Sequence, residues 1–272
     1  MRYSTHSRSK RKLPLILLFI VFFAITVFAG YKVATILLEY KAGTDTYKDL
    51  EQYVYIDTSD MEESDPFAKP SAAPEATAEP EEKLVWPVVD FESLWNINDD
   101  IVGWIYIPGT KINYPIVQGY NNDQYLYRMI DGAYNSSGSI FMDYRNESDF
   151  SNRHTIIYGH HMNNGSMFSD LLNYKEQKYF DEHPVALIIT PDQNYTLEFF
   201  TGYVADTRDS AWDRSFSSDE AYGNWLRSIG KKSRFYINII PEASDRVVTL
   251  STCSYEFDDA RFVMTGVLRP AE

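Results

Sequence analysis

The chain has little cysteine: one residue, Cys253, in 272. A single thiol forms no internal disulfide, so no covalent framework staples this fold. Positive charge is also scarce. Lys and Arg total 25 against 39 Asp and Glu, a formal net charge of −14. A chain built to bind phosphate backbones carries the opposite sign, so nucleic acid is excluded as a partner. There is no HExxH run and no second cysteine, and the adjacent His160 and His161 do not face one ion from a strand. No metal site is expected, and without a Gly-rich phosphate loop no nucleotide cofactor either. No internal repeat is present. What is there is a globular composition, 44% hydrophobic and 24% charged, which rules out a fully disordered chain, a collagen and a multi-span transporter. Its 21 Tyr and 16 Phe favour β structure.

The sequence divides into three parts. Residues 13–31 read LPLILLFIVFFAITVFAGY, without a charge, and the apolar character resumes after Lys32 as far as Leu38. Nineteen helical residues rise about 28 Å, enough for a bilayer's hydrocarbon core, so 13–38 is expected to be a transmembrane anchor. Arg2, Arg8, Lys10, Arg11 and Lys12 precede it, and no acidic residue does. The positive-inside bias then puts residues 1–12 in the cytoplasm and the rest outside, as a single-pass cell-membrane protein. A cleaved signal peptide, cut near Val27-Phe28-Ala29, is the competing reading, but the apolar run exceeds the usual signal length. Residues 39–83 follow as a juxtamembrane segment and spacer. Glu39–Ile56 has mixed helical character that continues the anchor outward. Asp57–Lys83 holds nine acidic residues, two lysines and four prolines. With almost nothing to bury, it is expected to be a solvated spacer that holds a domain away from the membrane.

Residues 84–272 form the folded domain, with 26 acidic and 15 basic residues, a formal charge of −11. Phe91–Asp100 reads as a short helix. Short β-like runs follow at Gly103–Ile107, Lys111–Val117, Ser139–Met142, His154–Tyr158, Ala186–Thr190, Tyr195–Val204, Phe235–Ile240, Arg246–Thr252 and Arg261–Leu268. Breakers such as Pro108-Gly109 and Asn163-Asn164-Gly165 separate them. This spacing indicates a mainly β domain, a barrel or a sandwich. Two helices interrupt it, Met167–Tyr179 and Ser218–Ser233. In the second, Ser218 is the N-cap and Asp219 and Glu220 occupy the first turn.

Cys253 ends a strand-like run and opens into a polar loop, where a thiol is reachable; a buried, inert thiol is the competing reading. A nucleophilic cysteine needs a base or cation beside it. His6 lies on the cytoplasmic side of the anchor, and His183, before Pro184, reads as a surface residue. His154, His160 and His161 surround the strand that ends at Tyr158, and His160 and His161 lie where it gives way to a loop. Two strands ending at one rim bring a histidine to the cysteine; otherwise these histidines are exposed loop residues. Arg261 opens the last strand, eight residues after Cys253. A tight return between antiparallel strands sets it near the thiol, where it serves an oxyanion; its alternative is a surface ion pair with Asp258 or Asp259.

Thr249-Leu250-Ser251-Thr252-Cys253, with Arg261-Phe262-Val263 opening a final strand, resembles the signature of sortases. The Ile156–Met162 run, Ile-Ile-Tyr-Gly-His-His-Met, is similar to the class B form, as is Asp100–Ile105 leading into Ile112–Gln118. The resemblance covers about Phe91 to Leu268. It implies an eight-stranded sortase-type β-barrel with added helices, and a cysteine transpeptidase outside a Gram-positive membrane that needs no cofactor. Its donor would be the sorting signal of a secreted surface protein, an Asn-Pro-x-Thr-Asn-like pentapeptide cut after Thr. The acyl group would pass to a peptidoglycan-precursor amine, or to a pilin lysine in a polymerising variant. By the same resemblance Cys253 is the nucleophile, His160 the general acid and base, Arg261 the substrate and oxyanion contact, and Ser251 and Thr252 touch substrate. A non-catalytic tethered module is the remaining alternative. The Ser-His-Gly-Cys run of L,D-transpeptidases is not found.

Overall fold

The computed structural model describes residues 12–56 and 84–271. The expected cytoplasmic tail, apart from Lys12, and the acidic spacer 57–83 lie outside the described residues. Helix α1 runs unbroken from Lys12 to Leu50, about 58 Å at 1.5 Å per residue. It is long and apolar enough to cross a membrane, with a mean hydropathy of 2.5 in its apolar window. Its last turns leave that apolar stretch and dock. Tyr47 and Leu50 are buried, the Tyr47 hydroxyl donates to the Gly138 carbonyl at 2.6 Å, and its ring meets Tyr114 edge-on at 5.4 Å. A 3₁₀ turn then leads into β1, Val54–Ile56, which pairs antiparallel with β2, Pro87–Val89, in the register Val54↔Val89 and Ile56↔Pro87. Residues 57–86 therefore join two strands of one small sheet, a pairing not expected from the sequence.

The short helix α2, Phe91–Trp95, is capped by the Asp90 side chain, which accepts from Ser93 N. It ends earlier than expected, because Asn98 turns the chain, its side chain accepting from Asp100 N at 2.9 Å. Strands β3 (Ile101–Tyr106), β4 (Asn113–Val117), β5 (Ile140–Met142), β6 (His154–Tyr158), β7 (Val185–Ile189), β8 (Asn194–Ala205), β9 (Val247–Cys253) and β10 (Arg261–Pro270) close into a barrel. Their order around it is β10-β8-β7-β3-β4-β5-β6-β9. The β4–β5 and β6–β9 pairs are parallel and the others antiparallel. This is the eight-stranded mixed barrel with added helices that the resemblance implies.

Strand alternation gives two apolar layers. Leu197, Phe199, Val248, Leu250, Phe262 and Met264 belong to one. Phe200, Tyr203, Val247, Val263 and Val267 belong to the other, beneath helix α4, Asp219–Gly230. Tyr222, Trp225, Leu226 and Ile229, at helical spacing, are the covering face of α4. Ser218 is its N-cap and accepts from Ala221 N at 3.1 Å.

Three expectations need correction. Phe235–Ile240 is not a strand. Its residues alternate in burial, with Phe235 stacked on Phe180 at 4.1 Å and Tyr236 and Ile240 exposed. Both edges of the adjacent β8 are already paired with β7 and β10, so a closed barrel offers no free edge. The Met167–Tyr179 helix is instead a 3₁₀ segment, Ser169–Lys175, then α3, Gln177–Glu182, with Met167 at φ +58°. His183 is half-buried rather than a surface residue: its Nδ1 lies 2.9 Å from the Pro108 carbonyl and its ring 4.5 Å from that of Tyr179.

Candidate active site

Two strand pairings assemble the site. In the parallel pair β6/β9, Tyr158 lies opposite Ser251, and Gly159 N donates to the Ser251 carbonyl at 3.1 Å. Both chains run toward the same rim, and side chains repeat on one face every second residue. Advancing each chain by two residues brings His160 and Cys253 to that rim on the Tyr158/Ser251 face. Gly159, between Tyr158 and His160 in the chain, has no room for a side chain, since a Cβ would run into Ile140 and the Phe168 ring. In the antiparallel pair β9/β10, Arg261 lies directly opposite Cys253, so their side chains share a face.

The result is a cleft of about 370 Å³ lined by His160, Ser251, Thr252, Cys253 and Arg261, every site residue expected from the sequence. Its walls are two loops that the sequence did not indicate, one contributing Asn122, Asp123 and Leu126 and the other Thr207 and Trp212. Cys253 is a free thiol, half-buried in this cleft rather than sealed in the core. His160 is half-buried too. Its Nε2 lies 2.6 Å from the Leu126 carbonyl and its ring centroid 5.6 Å from that of Tyr127. An imidazole donating from Nε2 to that carbonyl keeps Nδ1 as the nitrogen that accepts a proton. Leu126 is 34 residues from His160 and acts through its backbone, so no side-chain pattern announces it. The Arg261 guanidinium donates from Nη1 to the Ala260 carbonyl at 3.1 Å. Among the described residues it has no carboxylate partner, so the surface pair with Asp258 or Asp259 does not form. Thr252 faces the other way from its neighbours. It lies opposite the buried Phe262, and its hydroxyl is buried without a partner among the described residues, which leaves its backbone to border the cleft.

The remaining histidines are set apart by their surroundings. His154 is wholly buried between the Asp213 carbonyl, 2.6 Å from Nδ1, and the Thr249 hydroxyl, 2.7 Å from Nε2, and packs on Trp225. Burial pushes its pKa down to about 4, so it stays a neutral structural group. The His161 ring packs on Tyr255 at 5.2 Å, and burial lowers its pKa against the pull of the Cys253 backbone. Behind the nucleophile's loop, Lys175 pairs with Glu256, and both reach the Ser254 hydroxyl. One cleft wall is braced by Asp143, fully buried and accepting from Arg145 Nη2 at 2.7 Å, Asn122 Nδ2 at 3.1 Å and the Tyr158 hydroxyl at 3.1 Å. Burial opposes the Asp143 charge, but the Arg145 and amide hydrogen bonds outweigh it and hold the pKa at about 2.

A thiol, an imidazole and an unpaired guanidinium on one face suit acyl transfer through a thioester. Comparison with known proteins leads to the same chemistry. The Sortase domain family profile matches residues 105–269. Sortase B of Staphylococcus aureus is 32% identical over 252 residues, 93% of each chain. The solved S. aureus sortase B–substrate complex is 36% identical with a TM-score of 0.64, covering 67% of this chain and 85% of that one. Sortase B complexed with triglycine matches at 36% identity and a TM-score of 0.64, covering 67% and 86%. With the profile lying across the barrel and a relative aligned along nearly its whole length, the chain belongs to the sortase family of cysteine transpeptidases.

Proposed function

We propose that this sortase is anchored in the cell membrane through α1 with its barrel outside, and that it cuts a C-terminal sorting signal after Thr and passes the acyl group to a cell-wall amine. The observation that carries the reading is the convergence of Cys253, His160 and Arg261 on one cleft. Cys253 gives its thiol proton to His160 as Sγ adds to the Thr carbonyl carbon, while Arg261 donates to the carbonyl oxygen. The C–N bond then breaks, and His160 gives the leaving amine its proton. In the second half the acceptor amine adds to the thioester carbon, His160 takes the amine's proton, and as the C–S bond breaks it returns that proton to Cys253 Sγ. Ser251 borders the same face and is a substrate contact, with Thr252 contributing backbone. Two solved relatives, a substrate complex and a triglycine complex, support a peptide donor and an amine acceptor. The length and apolarity of α1 support the anchor.

The test is a donor pentapeptide of the form Asn-Pro-x-Thr-Asn, incubated with the protein and analysed by mass spectrometry. Cleavage after Thr with an acyl adduct on Cys253 is expected. Cys253→Ala should lose both cleavage and transfer and keep its melting temperature. An adduct on any other residue, or cleavage by Cys253→Ala, overturns the assignment.

A further inference from the structure

The segment that leads into β5 descends α1 one turn at a time. The Tyr47 hydroxyl meets the Gly138 carbonyl and the Ser139 hydroxyl. One turn back, Gly43 packs so closely that a Cβ would sit 2.9 Å from the Ser137 hydroxyl and 3.2 Å from the Asn135 amide oxygen. A further turn back, the Glu39 carbonyl accepts from Asn135 Nδ2 at 3.0 Å, and the Glu39 carboxylate accepts from Ser136 N at 2.7 Å. Residues 47, 43 and 39 lie on one face of the helix, each about 6 Å below the last. Thr35 is next on that face, and among residues 14–38 it alone is half-covered while the rest are exposed. The chain from Ser139 back to Asn135 therefore runs down α1 toward the apolar stretch that ends at Leu38, and the 127–135 hairpin hangs from its lower end.

That hairpin carries two rings turned to solvent. Tyr134 is 74% exposed and Tyr127 45%, and they stack at 6.1 Å with their planes 29° apart. The tip is held in place. Met129 N donates to Ala133 O at 2.9 Å, Asn135 N donates to Tyr127 O at 3.1 Å, and the buried Met129 and Ile130 root it in the core. Its two charges, Arg128 and Asp131, cancel, in a domain whose formal charge is −11. The most exposed ring among the described residues, Tyr236, stands elsewhere. Its neighbour Arg234 donates from N to Gly202 in β8, four places from β5 around the barrel. Tyrosine collects at the boundary between hydrocarbon and headgroups, where its ring is shielded and its hydroxyl stays wet. That layer is about 5–8 Å deep on each side of a bilayer, roughly one helical turn, so a hairpin fastened at Glu39 reaches it. We propose that the Tyr127–Tyr134 hairpin is a second membrane contact, seated in the headgroup layer of the bilayer that α1 crosses. The barrel then rests on the leaflet. Because Tyr127 also packs on His160 at 5.6 Å, the His160 rim of the cleft is held at that surface. This rests on the reading of α1 as the membrane anchor, and it adds a surface of the barrel that the lipid holds.

The test uses the full chain carrying Cys253→Ala, reconstituted in phosphatidylcholine vesicles. A fluorophore is attached at one introduced cysteine: Ile25→Cys in α1, Ala133→Cys at the hairpin tip, or Tyr236→Cys across the barrel. Nitroxide quenchers are placed on the lipid headgroup or at mid-chain. Headgroup nitroxide is expected to quench the label at position 133 at least fivefold more than the label at 236, and mid-chain nitroxide to quench the label at 25. Tyr134→Ser should lower the quenching at 133 at least threefold, and Tyr134→Trp, which keeps a ring, should retain it. A hairpin held near the bilayer by α1 alone would respond to neither. Equal quenching at 133 and 236, or no effect of Tyr134→Ser, overturns the contact. So does a label at 133 that is shielded from aqueous iodide but not quenched by lipid, since a second copy or another protein then covers the rings. A label at 25 that mid-chain nitroxide does not quench is a separate result, which removes the anchor reading instead.

Discussion

Arg261 is the residue whose two readings differ most in consequence. As a surface ion pair it would contribute at most about 1 kcal/mol to stability and little to rate. In the structure it stands opposite Cys253, and among the described residues its guanidinium bonds only the Ala260 carbonyl, so its other donors remain for a substrate oxygen. A donor that acts on a developing oxyanion is worth about 2.7–4 kcal/mol in the transition state. Arg261→Ala should therefore lower single-turnover acylation by about 10²–10³, with peptide affinity and melting temperature little changed. Arg261→Lys should recover part of the rate, because an ammonium supplies charge without the planar fork. Near-wild-type acylation by the Ala variant would remove Arg261 from the site. At this scale the sequence was informative where a side chain does the work. Cys253 and Arg261 were legible from a strand end and an eight-residue return. The Leu126 carbonyl was not, since a backbone acceptor leaves no residue-type signal, and neither was the inward turn of Thr252, which depends on the register with Phe262.

Among the elements, α1 and the barrel are joined more closely than composition indicates. Besides Tyr47 and Leu50, Glu39 accepts from Ser136 N at 2.7 Å, and Gly43 lies so close to Ser137 that a Cβ would sit 2.9 Å from its hydroxyl. Tyr47→Ala deletes a buried aromatic side chain and should cost about 3 kcal/mol. Tyr47→Phe removes the hydroxyl that reaches both the Gly138 carbonyl and the Ser139 hydroxyl and should cost about 1 kcal/mol. Thermal melts read both, at roughly 2–4 °C per kcal/mol for a domain of this size. A chain beginning at residue 84 should likewise melt below one beginning at residue 38; equal melting would mean that the docking contributes nothing. Periodicity and capping revealed α4 and most barrel strands, because their residues agree with their burial. Phe235–Ile240 has strand chemistry and strand alternation yet no ladder, since pairing depends on whether a neighbour has an edge left. The β1/β2 sheet was missed for the converse reason: three-residue strands carry too little pattern, and 30 residues separate Ile56 from Pro87.

For the whole molecule, the acidic composition shapes the response to pH. Asp143 is held at about 2, below its ordinary 3.8, by Arg145 and its amide partners despite burial. Glu256 is also held at about 2, below 4.5, because Lys175 and Ser254 outweigh its desolvation. A carboxylate whose pKa is lower folded than unfolded stabilises the protein fully above the unfolded value. That contribution is lost as pH falls toward the folded value. For Asp143 the difference corresponds to about 2 kcal/mol. Wild-type stability should hold near pH 5 and decline between about pH 4 and pH 2. Asp143→Asn should be less stable at pH 5 but show a shallower decline, as followed by denaturant melts across that range. Parallel slopes in the two proteins would exclude Asp143 as a source of acid lability.

The pairing of β1 with β2 separates the order of the chain from the path of mechanical load. On the proposed function, a surface protein held on Cys253 and dragged by flow would pull on the barrel, while α1 would pull back from the bilayer. Tension would then pass through the Tyr47 docking and the β1/β2 ladder, with the covalent connection from Ile56 to Pro87 running in parallel with it. Only after the ladder and the docked helix give way would that connection carry the load alone, as a leash that keeps the barrel with its anchor until it can reseat.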